Sequence, residues 1–407
     1  MSKNNIPKVR FVGFEDEWET IRLGDVSPLR GGFAFKSEKF TGTGIPIVRI
    51  SNVQSDGSVG GDFAYHDELI NDRNFVLLGK SILVAMSGAT TGKISILDSS
   101  NKYYQNQRVG YFVDNDRIDY TFLSSILRSK YFSNQLKSVL IAGAQPNISS
   151  KEIDNFKFRI TKNRCEQSQI GSLFSTIDSL LSSYKDNLEN YQSFKKSMLS
   201  KMFPKAGQTI PEIRLDGFEG EWELIKMGKI FTQQVEYIEP DENNELWSLT
   251  VEKGLTPKTD RYKRDFLVKK TDKFKRVKPN DFAYNPMNLT LGSLDANQLG
   301  KSISVSGYYV VMSIEDQSKY DIDYFKILLK TSFAIFQYKQ YATGSLIEKQ
   351  RVQFPTFSEI PFAIPTVDEQ RAIGSFFSNL DDLISSYQTK IDSLETLKKK
   401  LLQDMFI

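Results

Sequence analysis

Residues 7–24 read PKVRFVGFEDEWETIRLG, and residues 211–228 read PEIRLDGFEGEWELIKMG. The offset is 204, and ten of the eighteen positions are identical, among them Pro7/Pro211, Arg10/Arg214, Gly13/Gly217, Phe14/Phe218, Trp18/Trp222 and Gly24/Gly228. A second pair follows at offset 203: QSQIGSLFSTIDSLLSSY from Gln167 and QRAIGSFFSNLDDLISSY from Gln370, running on to Met202-Phe203 and Met405-Phe406. Two nearly equal offsets make the chain a tandem duplication, and self-similarity outranks any local reading of the fold. The interiors of the two copies diverge. One holds IPIVRISNVQSDG and SGATTGK; the other holds DRYKRDFLVKKTDKFKRVKPND and YNPMNLTLGS. A protein that does one thing twice has no use for such divergence, whereas one that presents two different reading heads on a shared frame does.

The second repeated segment predicts a long helix in each copy. Apolar positions alternate by four and three at Ile170, Phe174, Ile177, Leu181, Tyr184 and Leu188, and in the same register at Ile373, Phe377, Leu380, Ile384, Tyr387 and Ile391. That is a heptad seam, broken once per copy by a lysine, Lys195 or Lys398. Residues 167–203 would make a rod of about 55 Å at ~1.5 Å per residue. Two equal rods with matching seams predict an antiparallel coiled coil with a pseudo-two-fold axis; a helix packed only on its own domain is the plainer alternative. The expected organisation is a first domain over 1–163, a helix over 164–204, a second domain over 205–366 and a helix over 367–407. The globular parts are expected to be α/β or α+β. PIVRI (Pro46 to Ile50), SILVAM (Ser81 to Met86) and KISIL (Lys93 to Leu97) predict strands. FLSSILRSKYF (Phe122 to Phe132) and DYFKILLKTSFAIFQY (Asp323 to Tyr338) predict one helix each.

Composition narrows the chemistry. The chain has 407 residues, 40% hydrophobic and 25% charged, the make-up of an ordinary folded protein with room for two domains. A net charge of +3 leaves the distribution of charge to decide about nucleic acid. One histidine, His66, and one cysteine, Cys165, leave few ways to build a zinc site or a Cys-His nucleophile, so both are expected to be structural. A lone cysteine, a polar start and no long apolar run predict a cytoplasmic protein without a membrane span.

An ordered set of motifs then carries a resemblance across nearly the whole chain: the opening G-F-x-x-x-W-x-x-x-x-x-G at Gly13–Gly24 and again at Gly217–Gly228, GGFAFKS at Gly31–Ser37, SGATTGK at Ser87–Lys93, YNPM at Tyr284–Met287, and E-Q-x-x-I-G-x-x-F at the start of both helices. The chain resembles the specificity subunits of Type I restriction-modification enzymes. The resemblance implies two target-recognition domains, each reading one half of a bipartite, asymmetric site in double-stranded DNA. It implies helices that space the half-sites and dock two modification (methyltransferase) subunits, with restriction/translocase subunits completing the enzyme. S-adenosylmethionine, ATP and magnesium would sit on those partners, leaving this chain non-catalytic and without cofactor. A protein-interaction scaffold that uses the coiled coil and has no DNA role is the competing reading.

The residues agree with DNA reading in type. Phosphates call for cations, and base edges call for flat multivalent side chains. The segment from Asp260 to Pro279 holds nine Lys/Arg against three Asp, among them Arg261, Lys263, Arg264, Lys275 and Arg276, interleaved with aromatics such as Tyr262. In the first copy the candidates are Arg30, Lys36, Arg49, Lys93, Lys102 and the YYQNQR stretch with Gln105, Asn106, Gln107 and Arg108. SGATTGK is not a P-loop: three residues, not four, separate Gly88 from Gly92, and Ile94 follows the lysine. It predicts instead either a tight turn presenting Thr90, Thr91 and Lys93 to DNA or a plain strand-to-strand turn. YNPM lacks the second proline and the aromatic of an amino-methyltransferase motif, which leaves Asn288 as a candidate DNA contact only.

Overall fold

The structure is a computed structural model describing residues 5–142, 147–241, 243–258, 273–344 and 350–407. The chain divides into two units, one formed by Met1–Lys185 with Thr389–Ile407 and the other by Asp186–Gln388.

The first unit runs β1 (Glu19–Arg22), α1 (Leu23–Val26), β2 (Leu29–Arg30), β3 (Ile45–Val48), β4 (Ala64–His66), β5 (Val76–Ala85), β6 (Ile94–Gln105), β7 (Val109–Phe112), α2 (Tyr120–Leu127), α3 (Lys130–Ala142), α4 (Ser150–Asp154), β8 (Lys157–Ile160) and α5 (Arg164–Lys201). Six strands form one sheet in the order β2-β7-β5-β6-β3-β4, and β1 pairs with β8. Within that sheet only β3 and β6 run parallel, so the class is α+β and not a parallel α/β sheet. KISIL begins a strand that continues to Gln105, well past Leu97.

The second unit takes over α5 after Lys185. It then runs β9 (Glu223–Lys226), β10 (Phe231–Gln234), β11 (Tyr237–Ile238), β12 (Trp247–Thr250), β13 (Gly254–Pro257), β14 (Phe274–Val277), β15 (Phe282–Tyr284), β16 (Leu294–Ala296), β17 (Ile303–Ser306), β18 (Val310–Ile314), α6 (Ile322–Leu328), α7 (Ser332–Tyr341), α8 (Phe354–Ser358), β19 (Pro361–Ile364) and α9 (Val367–Asp404). The strands group as β10-β18-β15-β16, β11-β14-β17, β12-β13 and β19-β9.

Each segment expected to be a single helix before the long one is two helices. Apolar spacing cannot see the break, because the break is made by a cap. The Thr331 hydroxyl accepts from Ala334 N at 3.1 Å and starts α7 afresh, and the equivalent gap lies at Arg128–Ser129.

The repeated motifs build the same frame in each unit. Arg10 grips Glu166 through Nε and Nη2 at 2.6 and 2.9 Å; Arg214 grips Glu369 at 2.7 Å through both. The next residue along, Gln167, accepts from Asp119 N at 2.9 Å and donates to Thr161 O at 2.7 Å, which fixes the start of α2. Gln370 does the same for α6, accepting from Asp321 N at 2.9 Å and donating to Pro365 O at 2.9 Å. Trp18 is buried edge-on against Phe122 and Phe406, with centroids 6.0 and 6.1 Å away. Trp222 is buried likewise against Tyr324 and Phe203, at 6.3 and 6.4 Å. So the end of α9 closes the first unit's core and the end of α5 closes the second's.

Inside each unit α5 and α9 lie antiparallel. In the first, Asp178 meets Lys398 at 2.5 Å and Lys185 meets Glu395 at 2.7 Å. In the second, Tyr191 lies 5.5 Å from Tyr387, and Lys195 pairs with Asp381. Each seam lysine is thus neutralised by the aspartate at the equivalent place on the opposite helix. Ile170, Phe174, Ile177, Leu181, Ile373, Phe377, Leu380 and Ile391 are buried, while Tyr184, Leu188, Ile384 and Tyr387 are half-buried.

Candidate nucleic-acid interface

In the first unit the sequence candidates gather where four chain segments are tied together by backbone hydrogen bonds. Phe33 N donates to Gln105 O and Gln107 N to Phe33 O, both at 2.9 Å. Asn106 N donates to Val48 O at 3.0 Å, and Met86 N to Arg108 O at 2.9 Å. The loop after β2, the end of β3, the SGATTGK turn and the turn between β6 and β7 therefore form one rim. The turn is sharp because Gly32 packs flat on it: a Cβ there would lie 2.3 Å from Asn106 O and 2.4 Å from Gln105 O.

Gln105 corrects the sequence reading. It is wholly buried, and its Nε2 donates to Arg30 O at 2.8 Å and Val109 O at 2.7 Å while Oε1 accepts from Arg30 Nε at 3.2 Å. Its amide is fully used inside the unit and offers no face to a base. What it does is clamp the turn that carries its neighbours: Asn106 is half-buried, and Gln107 and Arg108 are exposed. Asn106 Oδ1 accepts from Arg108 N at 3.3 Å.

Other candidates divide the same way. Arg30 is structural: its Nη2 donates to Val76 O at 2.6 Å, its guanidinium lies 4.5 Å from the Tyr111 ring centre, and burial lowers its pKa. Lys102 is held by Asp72 at 2.5 Å and Glu68 at 2.6 Å, and those carboxylates raise its pKa. Lys36 is exposed. Arg49 is half-buried, with Nη2 on Asp62 O at 3.2 Å. In the SGATTGK turn Thr91 caps Gly88 O at 2.7 Å, Thr90 reaches Ile50 O at 3.5 Å, and Lys93 Nζ donates to Ser55 Oγ at 2.6 Å. Lys93 is held by a neutral hydroxyl, so its charge stays available to a phosphate.

In the second unit Arg261, Tyr262, Lys263 and Arg264 lie outside the described residues. Lys275 is a second correction. It sits on the central strand of β11-β14-β17, 7% exposed, with Nζ donating to Tyr309 O at 2.7 Å. Burial lowers its pKa, and it cannot reach a phosphate. Arg276 is half-buried and paired with Glu236 at 2.7 Å. Asn288 is half-buried at the head of a short turn over 289–291, with its N–H on Asn285 O at 2.9 Å. Tyr284 and Pro286 of YNPM are buried in the unit.

His66 is buried against the Phe35 ring, and Cys165 is exposed. Among the described residues no group of three or more His, Cys, Asp or Glu is placed to hold a metal ion, and no helix is long and apolar enough to cross a membrane.

In the first unit a rim of loops stands on the sheet, and the two units share a repeated frame. Residues 15–190 match the family model "Type I restriction modification DNA specificity domain". The chain is 28% identical over 193 residues to the Type I restriction enzyme MjaVIII specificity subunit of Methanocaldococcus jannaschii, covering 46% of this chain and 45% of that one. It is 21% identical over 98% of its length to the putative MjaX specificity subunit of the same organism, spanning 95% of that relative. In fold it is similar to the Type I restriction-modification S subunit of M. genitalium, with a TM-score of 0.62, 15% identity and 99% of each chain covered. Over residues 15–190 by family model, and more distantly along its whole length, the chain is similar to the specificity subunits of Type I restriction-modification systems.

Proposed function

We propose that this chain selects the DNA target of a Type I restriction-modification complex in the cytoplasm. Each unit reads one half of a bipartite, asymmetric site in double-stranded DNA. The long helices set the gap between the halves and dock two modification subunits, to which restriction/translocase subunits add. S-adenosylmethionine, ATP and magnesium belong to those partners. The observation that supports this reading most directly is the clamped turn: Gln105 fixes a rim from which Asn106, Gln107 and Arg108 project beside Lys93. Amide and guanidinium groups of this kind bond adenine and guanine edges, and a lysine meets phosphate. The divergence of the two interiors supports two different half-sites.

The test is selection from random duplex DNA by the chain co-purified with its methyltransferase subunit. The expected result is two short enriched blocks at a fixed separation, with binding that weakens steeply as salt rises. A flat library from an intact, folded complex would overturn the reading.

A further inference from the structure

Phe33 follows Gly24 by nine residues, and Tyr237 follows Gly228 by nine; between each glycine and its aromatic no residue of one copy is matched by the other. Where the sequences have parted, an aromatic residue stands at the same sequence distance in both copies, Phe33 in the loop after β2 and Tyr237 on β11. Both rings are exposed, Phe33 by 45% and Tyr237 by 53%. Large exposed rings are costly to hydrate, and neither of these hangs loosely from the surface. Phe33 is stacked on Phe75 at 4.8 Å and meets Phe35 edge-on at 4.9 Å. Its own N–H and C=O are the two groups tied to the turn of Gln105 and Gln107. Tyr237 is paired in register with Lys275, and the ammonium groups of Lys273 and Lys275 lie 5.4 and 6.0 Å from its ring centre. Phe33 is held by its neighbours, half-bare and seated beside the groups best suited to DNA in its unit; Tyr237 is half-bare beside the exposed Lys273.

The chemistry of the neighbours says what Phe33 would meet. Asn106 and Gln107 are side chains that bond the N6 and N7 edge of adenine in the major groove. The thymine paired with that adenine shows its C5 methyl group in the same groove, and an apolar side chain is what recognises it. We propose that Phe33 reads a thymine methyl group in the first half-site, and that Tyr237 holds the equivalent place in the second. This rests on the DNA-reading function proposed above.

Uracil deletes only that methyl, so the experiment uses the selected target with each thymine of the first block replaced in turn by uracil, bound by the full chain with its methyltransferase subunit. One replacement should weaken wild-type binding about fourfold, the worth of a buried methyl-sized group. Phe33→Ala should bind thymine and uracil targets alike, and Phe33→Leu should keep part of the difference. Tyr237→Ala should alter preference only in the second block. A first block without thymine on either strand, or wild-type binding indifferent to uracil at every position in it, overturns the proposal. If Phe33→Ala fails to fold, the wild-type uracil series decides alone. Selection of no block at all by the wild type is a different result, the failure of the DNA-reading function itself.

Discussion

Arg214 and Glu369 join two hydrogen bonds of 2.7 Å across 155 residues of chain, with the carboxylate 1% exposed. A planar guanidinium matched to a carboxylate in this way fixes orientation as well as distance. Removing one partner strands the other in a dry site. Arg214→Ala should therefore cost about 3 kcal/mol, the lower end for breaking a buried pair, because it leaves that carboxylate without its partner. Glu369→Ala should cost less, because Arg214 is more exposed and keeps its bonds to Gly220 O and Glu219 O. The double variant should fall short of the sum, since the same contact is lost once. Urea unfolding of the three variants checks this, and strict additivity would show that the two side chains act apart.

The glycine of the I-G step is repeated, but its surroundings are not. A Cβ on Gly171 would lie 2.0 Å from Thr121 Oγ1 and 2.6 Å from Phe122 N; on Gly374 the nearest atoms are 3.0 to 3.3 Å away. Helix propensity favours alanine over glycine by about 1 kcal/mol. Gly374→Ala should be close to neutral, whereas Gly171→Ala should lower stability by about 1–3 kcal/mol from overpacking. Thermal melts of the two variants measured together give the comparison.

Gln105 and Gln107 should separate stability from reading. Gln105→Leu removes all three side-chain bonds that clamp the turn and should destabilise the first unit by about 1–3 kcal/mol. Gln107→Ala should leave the melting temperature unchanged and relax preference at one position of one half-site. Melting curves paired with target selection for both variants check it; a destabilised Gln107→Ala would mean that the exposed amide is structural after all.

Lys275 supplies a pH test. Its folded pKa is lowered by burial, so the charged form is the one that folding penalises. The sign follows directly. Below the folded pKa both states are protonated and the penalty is constant; between the folded and the unfolded pKa the folded state binds fewer protons, and the penalty is progressively relieved as pH rises. Lys275→Met should therefore match or exceed the wild type in stability at neutral pH, with the gap narrowing towards pH 10. The salt slope of DNA binding should not change. A slope smaller by about one unit would restore Lys275 as a phosphate contact.

A seven-residue insertion in both long helices adds about 10 Å at ~1.5 Å per residue. If the helices set the gap in the target, the unread stretch should grow by about three base pairs at ~3.4 Å each. Target selection with the lengthened chain measures it, and an unchanged gap removes the spacing role.

The frame was legible in the sequence because it is written twice. Glu166 and Gln167 stood out only through their copies at Glu369 and Gln370, and their structural work follows from one geometry used again. The rim was half-legible. QNQR offers four suitable side chains, but a strand that turns sharply at its end buries one and displays the others, and composition does not say which. The basic run misled for a related reason: once Phe274 to Val277 is a central strand, alternation must point some of its residues inward, and Lys275 is one. Phe33 and Tyr237 went unnoticed because an aromatic beside a strand is ordinarily core. Only exposure singles them out.

Phe406 closes the core around Trp18, so the first unit holds residues from both ends of the numbering, while the second is one continuous stretch, Asp186–Gln388. On a ribosome this inverts the usual order, in which the part made first folds first. Residues 186–388 can complete their packing while the strands around Trp18 still wait, their apolar face uncovered, for the last turns of α9 to be made. The half translated earliest is the half finished last, and it is the half a chaperone would have to guard.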